Sequence, residues 1–195
     1  MIIAFTDGSS SKKQKTFGCG YTAIKNPKID IFIESEQKFI IKEKVGFKNS
    51  FKTGASELIA VLFLLWKLKD ESLQNEVIIL YSDSQYVVNE LASRFRDHIV
   101  KHFIDIKNKG LIIRILYELK DFNNIKIKWT KGHRAITDFA AFGNDIADKL
   151  SVSAHKGKEI DIEKDLFDFD EFVNNIEISN NNEDVFKSIY KFYIQ

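Results

Sequence analysis

Residues 55–69 carry Leu58, Ala60, Val61, Leu62, Leu64, Leu65 and Leu68 without a single Gly or Pro, so this stretch reads as a helix, with Thr53 offered as its N-cap. Its flanks limit the architecture. Ahead of it lie three β-prone segments: residues 2–6, residues 19–25, and either residues 29–33 or residues 38–45, where Phe39, Ile41 and Val45 alternate with polar neighbours. Behind it, residues 77–81 form a continuous β-branched and apolar run, suited to a strand buried on both faces. Ser82-Asp83-Ser84 then opens a helix through Leu91, residues 110–119 read as another, and Ile125, Ile127 and Trp129 alternate with lysines as a strand. A last helix spans residues 144–152. Three strands followed by alternation of helix and strand predict an α/β domain: a mixed sheet that begins as an antiparallel meander and carries helices on its faces.

With 44% hydrophobic and 29% charged residues, the 195-residue chain has the composition of a soluble globular protein. The longest helix-like apolar stretch, residues 58–66, falls short of the roughly 18 residues a bilayer span requires, so no membrane association is expected. Asp7 interrupts the N-terminal apolar run too early for a signal peptide, and the lone Cys19 has no disulfide partner in the chain. An intracellular, cytoplasmic setting is the expectation. Charge is uneven. Up to Ser151 there are 24 basic and 18 acidic residues, and from Val152 onward 5 and 10. We therefore divide the chain into a mildly basic body, residues 1–153, and an acidic C-terminal extension, residues 154–195, able to pack on the body or contact a protein partner.

Three acids fall where this topology would gather them. Asp7 follows the first strand, Asp83 follows the buried fourth strand, and Glu57 lies in the first turn of the helix between them. If strands one and four are parallel neighbours, their carboxyl ends share the sheet edge at which open α/β sheets bind ligands. Each acid has a plain structural explanation too: Asp7-Gly8 is a common turn pair, Glu57 suits a helix N-terminus, and Asp83 is a fair N-cap. Crowded carboxylates repel, so a shared site must retain a proton or bind a cation. Oxygen-only donors suit Mg²⁺ or Mn²⁺, whereas zinc favours Cys and His.

Thr6-Asp7-Gly8-Ser9, Ala55-Ser56-Glu57-Leu58, Ser82-Asp83-Ser84-Gln85-Tyr86-Val87, Trp129-Thr130-Lys131-Gly132-His133 and Gly143-Asn144-Asp145-Ile146-Ala147-Asp148 occur in an order that resembles type 1 ribonuclease H. The likeness runs over residues 2–152. It implies a ribonuclease H-like fold with a five-stranded mixed sheet, and hydrolysis of the RNA strand of RNA–DNA hybrids with Mg²⁺, two ions in the active complex, leaving 5′-phosphate and 3′-hydroxyl ends. By motif, Asp7, Glu57, Asp83 and Asp148 would hold the ions, and His133 would assist. Spacing alone does not choose between Asp145 and Asp148, which lie three apart; the family pattern points to Asp148. Gly8, Ser9, Thr53, Gly54 and Gln85 are the candidate substrate contacts, since telling a hybrid from a pure duplex requires reading a 2′-hydroxyl across a shallow minor groove. A monomer is expected.

The chain also departs from that pattern. Ser9-Ser10-Ser11-Lys12-Lys13-Gln14-Lys15 stands where many relatives have a glycine-rich turn, offering Lys12, Lys13 and Lys15 to phosphates. Residues 94–109 correspond to a basic handle and retain Arg94, Arg96, Lys101, Lys107 and Lys109 but no Trp. Two rival readings are a related metal nuclease such as a junction resolvase, and a hybrid-binding module without catalysis. A proofreading exonuclease would place Glu where this chain has Ser9.

Overall fold

The computed structural model describes residues 1–11, 16–48, 54–93 and 107–156. Lys12, Lys13, Lys15, Thr53, residues 94–106 of the basic stretch, and residues 157–195 of the acidic extension lie outside them.

Strands β1 (Ile2–Ser11), β2 (Thr16–Lys25), β3 (Phe39–Lys48), β4 (Ile78–Ser82) and β5 (Ile125–Trp129) form one sheet in the order β3-β2-β1-β4-β5. β1, β2 and β3 pair antiparallel, and β4 and β5 add in parallel, which is the predicted mixed sheet. Helix α1 (Ala55–Asp70) and helix α3 (Lys109–Leu119) pack together on one face, and α4 (Phe139–Lys156) covers β1, β2 and β3. The short α2 (Gln85–Val88) follows β4 and runs into a π-helical turn, Asn89–Ser93.

Strand periodicity explains the two layers. Side chains alternate across a strand, so Ile2 and Ala4 enter the core beneath α1 while Ile3 and Phe5 enter the one beneath α4. The α1 core is the larger, with Leu58, Leu62, Leu65 and Leu68 meeting Leu111, Ile115 and Leu116. On the other face Phe5 stacks on Tyr81 and lies against Phe139.

Several elements differ from the sequence reading. β1 does not end at Thr6. Asp7 and Gly8 stay in the ladder opposite Gly20 and Cys19, because β2 continues to pair with β1 as far as Ser11. Of the two alternatives for the third strand, residues 39–48 form it. Residues 29–33 belong to a loop whose backbone is satisfied locally instead: Gln37 accepts the Lys28 N–H at 3.1 Å and donates to the carbonyls of Lys28 and Ile31. The N-cap position of α1 is Gly54, at φ +85°, rather than Thr53. Finally, α4 begins five residues ahead of Asn144. Asp138 caps it by accepting the Ala141 N–H at 2.8 Å, and it runs unbroken through Ala154 to Lys156.

Candidate active site

The last parallel pair between β1 and β4 is Thr6 with Ser82. Asp7 and Asp83 are each the next residue, so the topology sets two carboxylates side by side at the carboxyl edge of the sheet. Glu57, in the first turn of α1, completes the group: one carboxylate oxygen from each of Asp7, Glu57 and Asp83 lies within 4.8 Å of the others. Asp148 sits on α4 and is not part of this trio. Its charge nevertheless acts on both Asp7 and Glu57, and it lines the adjoining cleft with Lys131, His133, Arg134, Asn144 and Asp145.

Each acid is held by its surroundings. Glu57 Oε2 accepts the Gly8 N–H at 3.0 Å. Asp83 Oδ2 accepts from Asn144 Nδ2 at 3.2 Å, and the Asp83 carbonyl accepts from the Trp129 indole at 3.0 Å. Asp7 Oδ2 accepts from the Ser151 hydroxyl, which also lies 2.9 Å from the Asp148 carbonyl. Beneath the group the buried Cys19 thiol donates to the Ser56 carbonyl at 3.3 Å, and burial pushes that thiol well up in pKa, keeping it protonated.

The electrostatics follow from crowding in a poorly hydrated place. Burial pushes Asp7 up to about 6; the charges of Asp83 and Asp148 add to this, and the Ser151 hydroxyl and His133 work against it. Glu57 is raised well above the carboxylate range, first by burial and then by Asp7 and Asp83, with the Gly8 N–H opposing. A cation would relieve this repulsion. The donor set, three carboxylates with no thiolate or imidazole among them, fits a hard divalent ion.

The remaining sequence candidates occupy the rim. His133 is exposed, at φ +48° in the left-handed region. Gln85 is exposed at the start of α2, and Gly54 lies against the Tyr86 ring. Ser9 Oγ is buried with no hydrogen-bond partner. Gly8 serves the site through packing and through Glu57, its N–H being already engaged. Lys107 is exposed, and its carbonyl accepts from the Tyr86 hydroxyl at 2.8 Å. Sequence reasoning missed Ser151 and the bond from Asn144 to Asp83. Only the position of Ser151, three residues after Asp148 on a helix, could have pointed to it.

Comparison with known proteins agrees with this fold. The model of the RNase H family matches residues 1–156. A ribonuclease H from Desulforamulus reducens is 31% identical over 163 residues, covering 80% of this chain and 87% of the relative. Among solved structures, RNase H1 from the archaeon Halobacterium salinarum superposes with a TM-score of 0.55 at 15% identity, covering 78% of this chain and 96% of that one. LC11-RNase H1, solved in complex with an RNA/DNA hybrid, superposes with a TM-score of 0.56 at 15% identity, covering 80% and 97%.

Proposed function

The chain belongs to the RNase H family, and from that premise we propose that it hydrolyses the RNA strand of RNA–DNA hybrids with two divalent ions, leaving 5′-phosphate and 3′-hydroxyl ends. The observation that carries the proposal is the convergence of Asp7, Glu57 and Asp83 within 4.8 Å, with the Asp148 charge acting on the same group.

In this reading Asp7, Glu57, Asp83 and Asp148 hold the ions, Mg²⁺ with Mn²⁺ as a substitute. Two such ions, when bound, supply activation of the attacking water and stabilisation of the leaving oxygen in an in-line displacement. The protein's own part is to hold the carboxylates in place. Gly8 fixes Glu57, Asn144 fixes Asp83 and Ser151 touches Asp7, so the ligand oxygens need little reorganisation. His133, on the open side of the cleft, moves a proton or assists product departure. Ser9, two residues beyond Asp7 on β1, and the exposed Gln85 flank the acids where the RNA strand would lie. The enzyme acts as a monomer in the cytoplasm, with residues 1–153 as its catalytic domain and the acidic extension packing on the body or meeting a protein partner.

The test uses end-labelled RNA–DNA hybrid, RNA duplex, DNA duplex and a four-way junction, incubated with wild type and Asp83→Asn, with and without Mg²⁺. The expected result is fragments from the hybrid's RNA alone, only with metal and only from wild type. A hybrid left intact by wild type in both Mg²⁺ and Mn²⁺ overturns the proposal, and preferential cutting of the junction replaces it with a resolvase.

A further inference from the structure

We propose that Ser151 is a positioning residue that orients the Asp7 carboxylate for cation binding, an inference that rests on the metal-dependent reading above. Ser151 is fully buried in α4, one turn beyond Asp148. A helical serine commonly returns its hydroxyl to the carbonyl three or four residues back, and Ser151 Oγ does lie 2.9 Å from the Asp148 carbonyl. The same oxygen also meets Asp7 Oδ2, on a strand 144 residues away in sequence.

The contact exists because α4 comes unusually close to the sheet. Gly20 faces Asp7 across the β1–β2 ladder, and a Cβ at Gly20 would fall onto the Ala147 carbonyl and the Ser151 nitrogen. With no side chain there, the helix backbone rests on β2, and the short Ser151 side chain spans the remaining distance to β1. Gly20 and Ser151 therefore act as a pair: one admits the helix, the other uses the approach.

The hydroxyl has one hydrogen and two acceptors in reach. A cation-binding Asp7 is ionised, and a bond to an ionised oxygen is the stronger, so in that state the hydrogen goes to Asp7 Oδ2. Rotation of the carboxylate is then stopped, with its other oxygen, Oδ1, left for the ion. In that state Ser151 Oγ lies beside the Asp148 carbonyl without donating to it. It touches no reacting atom itself; its effect passes through Asp7.

The full-length metal-free protein is titrated with Mn²⁺ by calorimetry, as wild type, Asp83→Asn, Ser151→Ala, Ser151→Cys and Ser153→Ala, with thermal unfolding of each measured alongside. Cysteine keeps nearly the shape of serine but is a poor donor. Ser153 is the control, because its hydroxyl bonds the Leu150 carbonyl at 2.9 Å in the same helical manner, away from the acids. Loss of a supporting hydrogen bond to a metal ligand is expected to weaken Mn²⁺ binding roughly 10-fold in Ser151→Ala and Ser151→Cys. Ser153→Ala should match wild type. Wild-type affinity in either Ser151 variant overturns the inference while leaving the functional reading intact. Failure of wild type to bind Mn²⁺ at all, or equal binding by Asp83→Asn, defeats the functional reading instead.

Discussion

The Gly8 N–H donates to Glu57 Oε2 at 3.0 Å, joining the acid-bearing end of β1 to the first turn of α1. β4 stops pairing with β1 at Thr6, so the donor that another strand residue would have used is taken by a carboxylate. The approach is close enough that a Cβ at Gly8 would come within 2.8 Å of Glu57 Cα. Gly8→Ala is expected to push α1 away and cost about 1–3 kcal/mol, as overpacking does. Urea denaturation measures the cost, and hybrid cleavage should fall with it because Glu57 is displaced. Unchanged stability would show that the two elements separate freely.

The raised pKa of Asp7 makes the site a source of instability when no metal is bound. A carboxyl with a folded value of about 6 against an ordinary 3.8 binds more protons folded than unfolded between those values. Stability therefore falls as pH rises through this window, by on the order of 3 kcal/mol, and stays low above it. Asp7→Asn cannot titrate. The metal-free variant should be more stable than metal-free wild type at pH 7 and closer to it at pH 4. Saturating Mg²⁺ should raise the unfolding temperature of wild type at pH 7 more than at pH 4.5, and should do little for Asp7→Asn. A wild type equally stable at both pH values in chelator would contradict this.

Much of this site was legible because Asp7, Glu57 and Asp83 are each placed by a strong local signal. Asp7 and Asp83 end runs of strand-forming residues, and Glu57 opens a helix with five leucines, Ala60 and Val61 behind it. Parallel pairing of β1 with β4 then does the rest. What was illegible depends on tertiary partners. Asp7-Gly8 looked like a turn because nothing in residues 7–11 announces that β2 pairs with them. The first turns of α4 were missed because Gly143 and Asn144 lower helix propensity, a cost that packing of Phe139 and Phe142 beside Phe5 offsets. Ser151 and Asn144 could not be assigned partners, since their bonds cross between elements far apart in the chain.

His133 is exposed on the cleft wall and contributes charge to Asp7, so its loss should slow the reaction without stopping it. Its left-handed backbone at φ +48° complicates an alanine variant, whereas asparagine tolerates that conformation. His133→Asn is expected to lower kcat by about 100-fold, within the range for a lost proton-transfer group, with KM for the hybrid little changed. Asp83→Asn in the same assay should give no detectable turnover. A His133→Asn enzyme with wild-type kcat would remove the residue from the mechanism.

Arg134, next to His133, donates to Asp138 at 2.8 Å, and Asp138 also caps α4 through the Ala141 N–H at 2.8 Å. The bond from Ala141, followed by the Arg134 guanidinium, holds the Asp138 carboxyl below its usual range. That stabilisation is present above the ordinary carboxylate pKa and is lost as pH falls through the lowered value. Asp138→Ala removes the cap and should cost about 1 kcal/mol at pH 7, with a smaller difference from wild type at low pH. Arg134→Ala removes only a partly exposed ion pair, worth little to folding. Its effect should appear in kcat, because the segment carrying His133 loses its tie to α4. If that is the route, Arg134→Ala slows wild type but adds nothing in a His133→Asn background. Independent, multiplicative losses in the double variant would instead mean that Arg134 acts on the substrate directly.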